Sequence, residues 1–234
     1  MDSAKAREIE AIHPSLWRGT QLARYAGRTV DTGYDELSAE LPGNGWPTGC
    51  LIECLGQKTG IGELRTFAPA LTKLGGRPIM FVAPTAQPSI AGLAHIGLPV
   101  DWLMLLTPKS STDALWSAEQ ILRSGTCGAM LFWQSHIRQE SLRRLQLAAK
   151  SGDTLFVVFR PLATAVDPSP AELRIALRPA DVGAEVEIVK RKGPACDRRI
   201  RIALRPSAVL LSPHGRSRRS VTTTVTAGDE PAFV

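Results

Sequence analysis

Between Cys50 and Phe159 the chain alternates. Short, mostly apolar runs ("CLIECL", "PIMFVA", "LMLL", "AMLFW" and "TLFVVF") are separated by segments whose apolar residues recur at helical spacing. Strands without a polar face must be covered on both sides, and strands joined through helices run parallel. The pattern predicts an α/β fold: a mostly parallel central sheet flanked by helices.

The expected helices follow from the same periodicity. Glu63–Leu74 puts Leu64, Phe67, Leu71 and Leu74 on one face, with Pro69 expected to kink it or delay its start and Gly75-Gly76 to end it. Ser89–Ile96 is a short helix closed by Gly97. Thr112 is the expected cap of a helix over 113–124, with Leu115, Ala118 and Leu122 inward. Arg138–Lys150 turns Leu142, Leu145 and Ala149 inward and stops near Gly152. After residue 170 the period changes. "ELRIALRP", "EVEIVKRK" and "RRIRIALRP" alternate with period two, as antiparallel strands do, and predict a closing hairpin.

The ends read differently. Residues 1–28 form an expected N-terminal arm: a short helix within 1–12, stopped by His13-Pro14, then a packing segment with Leu16, Trp17 and Leu22. Residues 206–234 carry basic residues without a core pattern and are expected to be a mostly disordered tail. The core domain is expected over 29–205. No apolar run of about 18 residues suggests a membrane span, and "MDSAKAREIE" has no signal-peptide core, which predicts a cytoplasmic protein. Four scattered cysteines, Cys50, Cys54, Cys127 and Cys196, lack the paired spacing of a metal site and read as small buried hydrophobes. No metal and no cofactor are expected.

The chemistry turns on "ECLGQKTGIGELR", Glu53–Arg65. A glycine-rich turn between a strand and a helix cradles phosphate on backbone N–H groups, with a lysine on the outer phosphates and a Ser/Thr hydroxyl on Mg²⁺. Started at Gly56, the motif puts Gly62 and Glu63 where lysine and hydroxyl belong. Shortened by one, it puts Ile61 and Gly62 there; lengthened by one, Glu63 and Leu64. Gly56, Gly60, Gly62 and Glu63 therefore form a degenerate phosphate loop. Glu63 suits a helix N-terminus and repels a triphosphate. The end of the fourth strand agrees: "AMLFW" closes on Trp133-Gln134 rather than on an Asp that would organise Mg²⁺. The expectation is a pseudo-ATPase with no catalytic residues.

Net charge is +6, and residues 186–205 alone carry seven Lys/Arg against Glu187 and Asp197. Lys190, Arg191, Lys192, Arg198 and Arg199 are candidate contacts to a partner or to DNA phosphates, as are Arg143 and Arg144 on the helix 138–150. Solvated hairpin and helix faces are the competing reading.

"TVDTGYDELSAELPGNGWPTGCLIECLG" and "VEIVKRKGPACDRRIRIAL" resemble the approach to the phosphate loop and the closing hairpin of RecA-type recombinases, a likeness spanning roughly 29–205. "HPSLWRG", "GIGELR" and "LRRLQLAAKSGDTLFVVFRP" resemble more narrowly the ImuA family, RecA-like accessory proteins of SOS-induced mutagenic translesion synthesis, and its relatives the SulA cell-division inhibitors. The resemblance implies a RecA-like core. It also implies a non-catalytic adaptor whose partners are ImuB, a polymerase-like protein, and an error-prone replicative-type polymerase, with RecA itself a further candidate. The SulA alternative implies binding to the tubulin-like division protein; a weakly active RecA-like ATPase is the third reading. In recombinases two lysines at the positions of Lys190 and Lys192 reach a neighbour's nucleotide. The recombinases' two DNA loops are short here, the second being "RPLATAVDPSP", so only weak, salt-sensitive DNA binding through the basic patch is expected.

Overall fold

The computed structural model describes residues 27–204. The helix expected within 1–12, Leu16, Trp17 and Leu22 of the arm, and the tail 206–234 lie outside them.

In chain order the elements are β1 (Thr29–Val30), α1 (Asp35–Glu40), β2 (Trp46–Pro47), β3 (Cys50–Gly56), α2 (Glu63–Leu71), β4 (Ile79–Val82), α3 (Ile90–His95), β5 (Leu103–Leu106), α4 (Ser111–Ser124), β6 (Ala129–Trp133), α5 (Gln139–Ala149), β7 (Leu155–Pro161), β8 (Leu173–Pro179), β9 (Ala184–Lys190) and β10 (Arg199–Ile202). Eight strands make one sheet in the order β10-β9-β8-β3-β7-β6-β4-β5. From β8 to β5 all neighbours are parallel, while β9 and β10 close the sheet antiparallel. The fold is α/β with a mixed, mostly parallel sheet flanked by helices. β8 runs parallel to β3, so only one of its two sides has the antiparallel pairing its period-two pattern suggested.

Alternate residues of each strand feed two cores. On one face Ile52, Phe81, Leu131 and Val157 pack with Phe67 and Leu71 of α2 and with Leu37 of α1. On the other, Leu51, Phe132 and Phe156 pack with Ala118 and Leu122 of α4 and with Leu142 and Leu145 of α5. The edge strand β5 departs from double coverage: Met104 is 52% and Leu105 44% exposed. The opposite edge, β10, shows solvent Arg199 and Arg201, the charged protection that β5 lacks.

Three local expectations are corrected. The cap of α4 is Ser110, whose hydroxyl accepts from the Asp113 N–H at 3.1 Å, so the helix starts at Ser111, ahead of Thr112. α2 ends at Leu71, before Gly75-Gly76, and Pro69 lies inside it. Proline has no N–H to give the carbonyl four residues back. That carbonyl, of Arg65, accepts instead from the Tyr34 hydroxyl at 3.0 Å. Ahead of Cys50, where the sequence pattern predicted no strand, the chain also holds a two-stranded ribbon, Thr29 opposite Pro47 and Val30 opposite Trp46. Trp46 then packs on Phe67, ring centroids 4.6 Å apart.

Candidate functional site

Connections leave β3 toward the α2 face and β6 toward the α5 face. The carboxyl ends of β3, β7 and β6 thereby border a crevice, the usual ligand position in an open α/β sheet. The glycine loop after β3, with Gly56, Gly60, Gly62 and Glu63, lies there.

β3 ends at Gly56, paired with Pro161 on one side and Leu177 on the other. The loop turns through Gly60 (φ +82°) and Gly62 (φ +108°) into α2. Both carboxylate oxygens of Glu63 accept from the Gly60 N–H, at 2.8 and 3.1 Å. The loop's own side chain thus occupies an amide that a phosphate would need, and its charge repels one. Gly62 has a second constraint: a Cβ there would lie 2.3 Å from Leu204 Cδ1, because the chain leaving β10 crosses the start of α2.

Behind the loop is a charge cluster that the sequence pattern did not flag. Glu53, fully buried in β3, accepts from Arg160 Nη1 at 2.7 Å and from Arg174 Nε at 2.5 Å. Arg174 also donates to the carbonyls of Thr164, Ala165 and Asp167, pinning the turn after β7. The available signal was a lone carboxylate inside "CLIECL" with arginines closing "TLFVVFR" and inside "ELRIALRP". Arg160 is a structural counter-charge here. Its Nε has no acceptor among the described residues.

Above the strand ends a cavity of about 440 Å³ opens beside the loop. Its floor includes Cys54, Trp133, Phe159 and Leu177. Trp133 and Phe159 stack with centroids 4.8 Å apart. The Cys54 thiol is held well above its ordinary pKa, first by burial and then by the Glu63 charge, so it stays protonated and unreactive. Ala83 follows the end of β4 and Gln134 the end of β6, neither of them a carboxylate. Among the described residues no three His, Cys, Asp or Glu side chains converge on a metal position.

The candidate basic residues are scattered and largely compensated. Lys190 Nζ donates to the Ser169 carbonyl at 2.9 Å, and its pKa is lowered by burial and by Arg174, against the pull of Glu53 and Glu172. Arg191 is half-buried, its side chain largely covered: it donates to the Glu40 carboxylate at 2.9 Å, to the Glu40 carbonyl, and to the Pro194 carbonyl at 2.9 Å, clamping the hairpin onto α1. Lys192 pairs with Glu172 at 2.8 Å, Arg198 with Glu36 at 3.0 Å, and Arg199 with Glu185 at 3.1 Å. Arg144 pairs with Glu119, which also holds Arg123 and so ties α5 to α4. Arg143 is exposed and has no ion-pair partner among the described residues. The high charge of the hairpin is therefore mostly met within the fold, each exposed pair adding about 0–1 kcal/mol.

No family model matches the chain. It is similar to proteins named cell division inhibitor SulA. With that of Photorhabdus laumondii it is 31% identical over 112 residues, 47% of this chain and 63% of the relative. With that of Serratia marcescens it is 28% identical over 157 residues, 66% of this chain and 86% of the relative. With that of Edwardsiella piscicida it is 30% identical over 106 residues, 43% and 63% of the two chains. The chain thus spans a little under two thirds of the first relative it matches. The crystal structure of SulA from Pseudomonas aeruginosa matches 47% of this chain and 97% of its own at 22% identity, with a TM-score of 0.39. Of the two families raised by the sequence, the relatives found speak for the cell division inhibitors rather than the translesion accessory proteins.

Proposed function

We propose that this chain is a non-catalytic, SulA-like inhibitor that acts in the cytoplasm by binding the tubulin-like division protein. The observation that carries the non-catalytic part is the Glu63 carboxylate on the Gly60 amide, which fills the phosphate position from within. The similarity to the named division inhibitors supplies the class. In this reading the core 29–205 is a RecA-like scaffold that has become a pseudo-ATPase, and the arm 1–28 and tail 206–234 are added contact segments. The strand order and the glycine turn after a central strand support the scaffold reading. On α5, exposed Arg143 and Leu147 are the proposed contact pair, since Arg144 is already held by Glu119.

The test is sedimentation of the purified division protein with GTP, with and without the chain. Inhibition at near-stoichiometric ratios, weakened about tenfold by Arg143→Glu with Leu147→Asp, is the expected result. Undiminished polymerisation at a tenfold excess of folded chain sinks the proposal.

A second reading, a translesion adaptor for ImuB and an error-prone polymerase, keeps one observation in its favour. The closing hairpin resembling the recombinases' is fully built and clamped to α1 through Arg191 and Glu40. Co-purification of a polymerase-like partner from damaged cells, with no division protein, would select it.

A further inference from the structure

The crevice at the strand ends is the wrong chemistry for a phosphate, yet the described residues leave it open. Three features define what it takes. Its floor is aromatic and apolar: Trp133 and Phe159 are register partners on the adjacent strands β6 and β7, their rings stacked, and Cys54 is the partner of Phe159 on β3. Its lining also holds polar Thr85, Ser111, Gln134 and Ser135, with Lys58 and Glu63 of the loop. Gln134 is fixed there, its amide N–H₂ donating to the Ser111 hydroxyl at 3.0 Å and to the His136 carbonyl at 3.4 Å.

The charges near the cavity cancel. Arg160 and Arg174 are balanced by Glu53, which lies between them, and by Asp167, 3.7 Å from Arg160; Lys58 and Glu63 lie on the same short loop with opposite sign. One donor is left over. Arg160 lines the cavity and is more than nine-tenths buried; its Nη1 is taken by Glu53, while its Nη2 makes no hydrogen bond among the described residues, the Asp167 carboxylate lying 3.7 Å away. A buried donor of this kind is normally satisfied by something. At about 440 Å³ the space lies within the usual range of small-molecule pockets, roughly 300–1,000 Å³.

We infer that this cavity is a binding site for an uncharged, flat, aromatic small molecule carrying a hydrogen-bond acceptor, and that it discriminates against nucleoside triphosphates. The aromatic floor supplies the contact area, Arg160 a donor, and Glu63 the discrimination. The inference stands apart from the division-protein reading, because it is tested without any partner and survives that reading's failure.

The probe is Nile red, a neutral, flat dye with a carbonyl acceptor, titrated into the full chain and followed by its emission. Saturable one-to-one binding is expected. Millimolar MgATP should leave it undisplaced. Ser135→Trp, at an exposed rim position, should weaken it at least tenfold, and Thr85→Trp, also exposed, should do the same; both are checked for an unchanged far-UV spectrum. If one rim variant misfolds, the other decides. Absence of saturable binding overturns the inference, as does binding that both rim variants leave intact, which would place the dye on the apolar β5 edge. Competitive displacement by MgATP overturns the discrimination against phosphate.

Discussion

Replacing Glu53 by glutamine changes one atom and removes the carboxylate shared by two buried guanidinium groups. The side chains of Arg160 and Arg174 are 4% and 6% exposed, and Glu53 is wholly enclosed. Little water reaches either arginine to replace the lost charge, and Asp167 stands 3.7 Å from Arg160 alone. Breaking such a buried ion cluster from one side costs about 3–5 kcal/mol, because uncompensated charge stays behind. For a domain of this size each kcal/mol lowers Tm by about 2–4 °C, so the variant should melt roughly 6–20 °C lower. Urea unfolding followed by tryptophan emission gives the free energy, and calorimetry the Tm. The double variant Glu53→Leu, Arg160→Met is the control. It removes one charge of each sign and leaves Arg174 on its three carbonyls, so it should cost less than Glu53→Gln alone. A Glu53→Gln penalty under about 1 kcal/mol, or a double variant whose loss equals the sum of its singles, refutes the reasoning.

Three further outcomes follow from other contacts. Tyr34→Phe withdraws the donor that serves the Arg65 carbonyl across from Pro69, and should cost about 0.5–1.5 kcal/mol in urea unfolding; restoring the helical N–H with Pro69→Ala should abolish most of that penalty. Gly62→Ala forces a side chain into φ +108° and onto Leu204, at a cost of about 1–3 kcal/mol, and Leu204→Ala in the same chain should recover the part due to contact. Asp153 is pushed up by burial but held below its ordinary 3.8 by hydrogen bonds from Arg77 and Arg28. Its contribution is therefore complete above pH ~4 and lost as pH falls through the lower folded value. Asp153→Asn should flatten the acid limb of the urea midpoint against pH.

What could be read from the sequence was whatever repeats along it. The apolar runs located the strands from β3 to β7 closely, and the three-to-four spacing placed Leu142, Leu145 and Ala149 on the inner face of α5. The loop's missing lysine was equally plain, since register is a property of neighbours. What escaped depends on distant pairs. Glu53 meets Arg160 and Arg174 at separations of 107 and 121 residues, and no local pattern links them. The role of Tyr34 depends on a proline in another helix, and a ribbon two residues long has too little period to detect. The hairpin's cluster of positive charge was legible, but the acids that answer it sit on α1, on β9 and just before β8.

The central position of β3 has a consequence for synthesis. This strand is among the first core elements made, yet both of its neighbours, β7 and β8, come more than a hundred residues later. At about 5–20 residues per second, a ribosome takes roughly 5–25 s to make that interval. Throughout it "CLIECL" has no partner on either side, and neither does its carboxylate. The sheet cannot close progressively from the N-terminus; it must assemble around β3 once β8 has emerged. Folding of this chain is thus late and largely all at once, and the nascent protein depends on whatever shields an apolar strand in the meantime.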